Sequence, residues 1–113
     1  MWTVTLGVSS VGETRRRMAA AFQGKAQGEF ISFTSVELLW KVLTAKRWEI
    51  LRAMTGQGEL AIREVARRVG RDVKAVHGDV TALVNAGVLD RAEDGIVFPY
   101  DAVHVDFTLR TAA

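Results

Sequence analysis

The side chains best suited to bind a ligand are a group of basic and hydrogen-bonding residues in the second half of the chain. They are Arg63, Arg67, Arg68, Arg71, Lys74, His77, Thr81 and Arg91. Guanidinium and ammonium groups neutralise phosphates, and they also match the O6 and N7 acceptors of guanine. Imidazole and hydroxyl groups donate hydrogen bonds to bases or phosphates. This combination of side chains predicts contact with a nucleic acid.

The positive charge of the chain is concentrated around these residues. All 113 residues together have a formal net charge of +2. The segment Thr44–Ala92 accounts for +3 and Met1–Leu43 for +2, whereas Glu93–Ala113 accounts for −3. The largest excess therefore lies where a phosphate backbone would approach the basic group. A separate basic run, Arg15–Arg17, is interpreted as a solvated helix face.

Two short amphipathic helices around a tight turn are predicted to position the basic group. The first, Ala61–Val69, has apolar residues at the spacing of one helix face. Gly70 supplies the left-handed turn after it, and Asp72 is the expected N-cap of the second helix, which ends at Gly87. The residues of the second helix predicted to face the core are Val73, Val76, Val80, Leu83 and Val84.

With these apolar residues inward, the second helix presents Lys74, His77 and Thr81 outward, with Arg71 just before them. Such side chains, near the N-terminal turns of a helix, could contact base edges. The three arginines of the preceding helix, at positions 63, 67 and 68, are interpreted as contacts to the phosphate backbone. Asp79 would repel phosphates, so we expect it to pair with a nearby arginine.

A β-hairpin is predicted after the second helix. Its strands are Val88–Ala92 and Ile96–Phe98, and its turn is Glu93-Asp94-Gly95. Arg91 is the one basic residue expected to contact phosphate from this hairpin, whose tip is acidic. The order helix, turn, helix, hairpin is typical of a winged helix-turn-helix, whose second helix enters the DNA major groove.

Further elements are predicted before this unit. Trp2–Val8 alternates as a strand, a helix follows over about residues 11–26, and Glu29–Phe33 reads as a second strand. A helix from Ser35 to Val42 is apolar on most sides and is expected to be buried. Thr44 is the expected N-cap of the helix after it.

The sequence therefore predicts an α+β fold, namely a winged helix-turn-helix with additional N- and C-terminal strands and an N-terminal helix. We expect one domain over residues 1–113, with an extension at 1–33, the winged helix at 34–99 and a C-terminal strand at 100–113. The strands Trp2–Leu6 and Val103–Leu109 are expected to pair with each other or across the two-fold axis of a dimer.

Four strings in the sequence resemble those of a known family. They are Phe30–Phe33, Leu43–Arg47, Gly70–Val80 and Phe98–Asp101. They look like small prokaryotic winged-helix regulators akin to the multiple-antibiotic-resistance-repressor (MarR) type, some of which are antitoxins beside a toxin gene. The resemblance implies DNA binding by Arg71, Lys74 and His77, as a homodimer on an operator. Gly78 departs from the family pattern, which tends to have a basic residue there.

The leading hypothesis is a sequence-specific, DNA-binding transcriptional regulator that represses its own operon, with an antitoxin role as an extension of it. The alternative is a protein-interaction module in which the winged helix is a scaffold that binds a toxin or another partner. We expect a cytoplasmic protein, since no segment approaches the length of a membrane span.

Enzymatic activity is not expected. The chain has no cysteine and two histidines, and it lacks a nucleotide-binding loop, a metal-ligand spacing and a Ser-His-Asp order. Accordingly, neither a metal nor a cofactor is expected. His104 and Asp106 lie two positions apart on one strand and hence on the same face, but we do not interpret the pair as catalytic.

Overall fold

A computed structural model describes residues 2–8 and 29–108 of the chain. This part is a small mixed α/β domain with four helices. In chain order, the elements are β1 (Thr3–Val8), β2 (Glu29–Phe33), α1 (Val36–Val42), α2 (Ala45–Met54), α3 (Ile62–Val69), α4 (Val73–Asn85), β3 (Asp90–Arg91), β4 (Ile96–Val97) and β5 (Ala102–Asp106). The helix predicted over 11–26, with Arg15–Arg17, lies outside the described residues. None of the helices α1–α4 has the length and apolar character needed to cross a bilayer.

Strand β1 forms the centre of a three-stranded parallel sheet, with β2 on one side and β5 on the other. Leu6 of β1 lies opposite Ile31 of β2 and Val105 of β5. The two terminal strands therefore pair with each other within one chain, which is the first of the two arrangements predicted for them. The sequence did not indicate that β2 would be the third strand.

One hydrophobic core joins this sheet to the helices. The fully buried side chains include Val4 and Leu6 from β1, Leu51 from α2, Val65 from α3 and Val80 from α4. Burial of each such aliphatic side chain contributes roughly 1.5–3 kcal/mol relative to exposure. The same packing fixes which face of α4 remains outside.

Helices α2 and α4 begin at side-chain N-caps, which are Thr44 and Asp72 as predicted. The side chain of Thr44 accepts from the Arg47 N–H, and that of Asp72 accepts from the Lys74 N–H. Each such cap stabilises its helix by about 1 kcal/mol. Gly70 has φ 67°, the left-handed value that lets α3 end and the chain turn into α4.

Helix α1 is less buried than the sequence predicted. Leu39 is its only fully buried residue, whereas Leu38 and Trp40 are 40% and 51% exposed. A helix of two turns has room for one inward stripe, which here runs through Leu39 and Leu43. The expectation that this helix is buried on most sides was therefore wrong.

Val73, which was predicted to face inward, is exposed, and so is Trp2, which alternates with the buried Val4 and Leu6. Trp2 precedes β1, where its ring packs edge-on against Tyr100 with centroids 5.0 Å apart. Val73 is 42% exposed because it is the first residue of α4, one turn before Val76, which is fully buried. The inward stripe of α4 accordingly begins at Val76.

The hairpin predicted after α4 is present as β3 and β4, with Asp90 opposite Val97. A third segment extends it, since the Leu60 N–H donates to the Ile96 carbonyl at 2.9 Å and the Leu60 carbonyl accepts from the Ile96 N–H at 2.9 Å. Gly95 lies against this segment, and a Cβ there would come within 2.2 Å of the Leu60 carbonyl oxygen. Glycine is thus required at 95 by close backbone approach.

We expect Gly95→Ala to lower the free energy of unfolding by about 2–3 kcal/mol, because a methyl group would push the hairpin away from Leu60. Gly78→Ala is the matched control, since a Cβ at Gly78 meets nothing within 4 Å. At that helical position, alanine should raise stability by about 0.5–1 kcal/mol. Urea unfolding of both variants measures the two effects, and equal stabilities would contradict this account of Gly95.

Candidate nucleic-acid interface

The candidate interface is the outward face of α4, which consists of Lys74, His77, Gly78, Thr81 and Asn85. These positions follow one another at helical spacing on the side opposite the buried residues of α4. All are exposed except Thr81, which is partly buried. Lysine is the only formally charged side chain on this face at neutral pH, and it is positive.

Asp79 is the acidic residue of α4, and it is held away from this face by two arginines. Its Oδ1 accepts from Arg47 Nε of α2 at 3.0 Å, and its Oδ2 accepts from Arg71 Nη2 at 2.8 Å. Burial raises the pKa of Asp79, but the hydrogen bonds and charges of Arg71 and Arg47 outweigh it and leave the pKa below the ordinary value of 3.8. The carboxylate is therefore ionised and neutralised at physiological pH.

The pairing of Asp79 with an arginine was predicted, but the identity of its partners was not. Arg71 was interpreted as a base or phosphate contact, whereas its side chain is only 18% exposed and points to Asp79. Its Nη1 is buried without a hydrogen-bond partner. The side chain of Arg71 is thus partly buried against Asp79 and is not a member of the outward face. Arg47 was missed, although the acidic residue beside the inward stripe of α4 implied an inward-facing cation.

The arginines of α3 surround Glu64. Arg67 and Arg68 both donate to this carboxylate, each through Nε at 2.9 Å, and Arg68 also donates to Gln57 Oε1 at 3.0 Å. Hydrogen bonds from Arg67 and Arg68 lower the pKa of Glu64 to about 2. The side chain of Arg67 is 71% exposed, so it can contact a phosphate while still near Glu64. Arg63 is exposed and forms no ion pair within the described residues.

The remaining residues predicted to contact DNA, Thr81 and Arg91, differ in how freely their side chains can reach a duplex. Thr81 donates its hydroxyl hydrogen to the His77 carbonyl at 2.9 Å, which leaves its oxygen as an acceptor. Arg91 is exposed on β3, at the hairpin. The acidic hairpin tip is bound to the body of the protein, since the Asp94 N–H donates to Glu59 Oε1 at 2.6 Å. The structure thus brings Lys74, His77 and Thr81 together, with the α3 arginines and Arg91 on neighbouring elements.

Across residues 2–8 and 29–108, no group of three or more His, Cys, Asp or Glu side chains is placed to hold a metal ion. His104 and Asp106 are both exposed on β5, far along the chain from the basic group.

A family model, HVO_A0114, matches residues 42–105, which is more than half of the chain. The matched segment begins at the last residue of α1 and ends within β5, so it includes α2–α4, the hairpin and every residue of the candidate interface. No curated protein matches the chain.

Proposed function

We propose that this chain, which belongs to the HVO_A0114 family, binds double-stranded DNA through the outward face of α4 and acts as a sequence-specific transcriptional regulator. The observation that supports this most is the enclosure of Asp79 by Arg47 and Arg71. Because that carboxylate is neutralised inside, a duplex would meet only the neutral and cationic groups of α4 beyond its N-cap.

We further propose that α2–α4 and the hairpin form a winged helix-turn-helix of the small regulator type noted above. Three features support it: the left-handed turn at Gly70 between α3 and α4, the antiparallel hairpin after α4, and the bridge between Leu60 and Ile96. In that architecture, the second helix enters the major groove and the hairpin lies beside the backbone.

The side chains would then divide by role. Lys74 and His77 on the outward face would contact base edges, and the absence of a side chain at Gly78 would let the helix approach closely. Arg63, Arg67 and Arg91 would contact phosphates on either side, which fixes register but conveys no sequence information. Control of its own operon from the cytoplasm is the regulatory role that the resemblance suggests.

Fluorescence titration with two labelled duplexes tests the proposal. One duplex is the DNA directly upstream of the protein's own gene, and the other has the same composition in scrambled order. We expect tighter binding of the upstream duplex, with affinity for both falling as salt rises because phosphate contacts release counterions. Equal affinity for the two duplexes would contradict sequence-specific recognition, and no binding at low salt would contradict DNA binding itself.

The contacts of Arg67 and Arg68 with Glu64 allow phosphate binding to be weakened by one substitution and strengthened by another. Arg67→Ala should weaken binding to the two duplexes equally and reduce the slope of log affinity against log salt by about 1. Glu64→Gln should do the opposite, because removal of its charge releases Arg67 and Arg68 toward the DNA. The same salt titration measures both variants. Changes of equal sign, or a change in sequence preference, would show that these arginines do not contact phosphate.

The alternative, a protein-interaction module that binds a toxin or other partner, has one observation in its favour. Trp40 and Phe107 are 51% and 41% exposed and lie in contact, well away from the α4 face in sequence. DNA binding that is unaffected by substitution on α4, together with capture of a partner that needs Trp40, would favour this second function.

A further inference from the structure

The outer edge of β5 is open. Among residues 2–8 and 29–108, β5 pairs with β1 on one side and with no strand on the other. An edge strand leaves half of its backbone N–H and C=O groups without partners from the sheet, so it can pair with another strand. The two faces of β5 differ, because successive side chains alternate.

The face of β5 toward the helices is apolar. Val105 and Phe107 on this face line a groove of about 540 Å³ together with residues of α1 and α2. Trp40 of α1 packs edge-on against Phe107 with ring centroids 5.4 Å apart, and both rings remain substantially exposed. Exposed aromatic side chains beside an open strand edge are typical of an interface.

The opposite face of β5 has one imidazole and one carboxylate, His104 and Asp106, and both are exposed. These side chains are two positions apart on the same face. When a strand pairs in antiparallel fashion with a copy of itself around a residue between them, each lies directly opposite the other. The strand is therefore complementary to itself, because an N–H donor lies opposite a carboxylate acceptor.

We propose that a second copy of this chain pairs with β5 in antiparallel orientation, with a two-fold axis at Val105. In that register, Val105 lies opposite the partner's Val105, and His104 lies opposite the partner's Asp106. The imidazole N–H can donate to the carboxylate in either protonation state, and the two-fold axis forms this pair twice. Phe107 falls opposite the partner's Val103, which covers the ring that is now exposed.

Other registers fit less well. A shift by one residue would place apolar side chains opposite polar ones on the wrong face, because side chains repeat every two positions. An axis at His104 keeps the faces matched but places the two imidazoles against each other and Asp106 against an alanine. The register centred on Val105 is thus the one that places an imidazole donor opposite a carboxylate acceptor and apolar side chains opposite each other.

The consequence is a continuous six-stranded sheet with the helices of both copies on the same side. An axis perpendicular to the sheet gives this arrangement, since it preserves the face of each strand. The pairing stands independently of DNA; its use to place two α4 helices on two half-sites rests on the proposed function.

Size-exclusion chromatography with light scattering, on the full chain and without DNA, tests the pairing. We expect wild-type protein to dimerise in the micromolar range. His104→Asp places carboxylates opposite each other at two equivalent positions and should weaken the dimer at least about tenfold. The double variant His104→Asp/Asp106→Lys places an ammonium opposite a carboxylate at both positions and should return the dimer to near wild-type affinity.

Ser32→Asp is the matched control, because Ser32 and Asp106 are both paired to Gly7 and lie at equivalent positions on the two edges of the sheet. This variant should leave the dimer unchanged. Circular dichroism confirms folding of each variant. A wild-type monomer would overturn the proposal, as would a dimer insensitive to His104→Asp or a double variant that fails to recover. None of these outcomes depends on whether the protein binds DNA. Failure of the proposed dimer can therefore be distinguished from failure of the proposed DNA binding.

Discussion

Asp79→Ala is expected to lower the free energy of unfolding by about 3 kcal/mol, since it removes one carboxylate shared by two largely buried guanidinium groups. The side chains of Arg47 and Arg71 are 22% and 18% exposed, so water can replace the lost partner only in part. Loss of the carboxylate would also remove the Asp79 partner of Arg71 Nη2, beside an Nη1 that has no hydrogen-bond partner with which to compensate. Urea unfolding monitored by tryptophan fluorescence measures the loss.

Two further variants and a pH series show whether the lost ion pairs cause the destabilisation of Asp79→Ala. Asp79→Asn keeps the size of the side chain and one acceptor, so it should cost less than alanine, while Asp90→Ala removes an exposed carboxylate and should change little. The pKa of Asp79 is depressed in the folded protein, so its contribution is complete above the ordinary pKa of 3.8 and is lost as pH falls through the folded value. The difference between wild type and Asp79→Ala should accordingly be constant from neutral pH to about 5 and shrink below about 4. A difference that does not shrink in acid would show that lost packing, and not the ion pairs, destabilises the variant.

Lys74→Glu is expected to reduce affinity for the upstream duplex on the order of 100-fold, at the upper end of the range for the loss of a single base contact. The substitution removes a cation from the outward face of α4 and adds a carboxylate that would face the phosphates. Because Lys74 is exposed and forms no side-chain ion pair among the described residues, the fold should keep its stability. Fluorescence titration at fixed salt, with unfolding curves for the same preparations, measures both quantities.

Lys41→Glu is the matched control for this experiment. It makes the same change of charge at an exposed lysine, but in the last turn of α1 rather than on α4. A small uniform loss is expected there from the altered net charge alone. Similar losses from the two variants would mean that overall charge, and not the α4 face, determines binding.

Local elements could be predicted from the sequence because their causes lie within a few residues. The N-caps at Thr44 and Asp72, the left-handed turn at Gly70 and the hairpin around Asp94-Gly95 each follow from short-range hydrogen bonding and φ preference. The inward residues of α4 were also predicted apart from Val73, which lies at the exposed start of the helix.

Long-range features could not be predicted in the same way. The partner of Asp79 is decided by how α2 packs beside α4, and Arg47 is 32 residues away from it in the chain. A long side chain in a turn, such as Arg71, can point inward or outward with the same sequence pattern. Likewise, the addition of β2 to the sheet depends on parallel pairing between distant segments, for which alternation within one strand gives no signal.

The central place of β1 has a consequence for synthesis. Strand β1 is made before both of the strands that flank it, and β5 is the last of the described elements to leave the ribosome. Helices α2–α4 and the hairpin depend on contacts close in sequence and can form while the chain is still tethered. The sheet cannot close until β5 has been made, so a nascent chain stalled before residue 102 would leave one side of β1 uncovered and prone to associate with other chains.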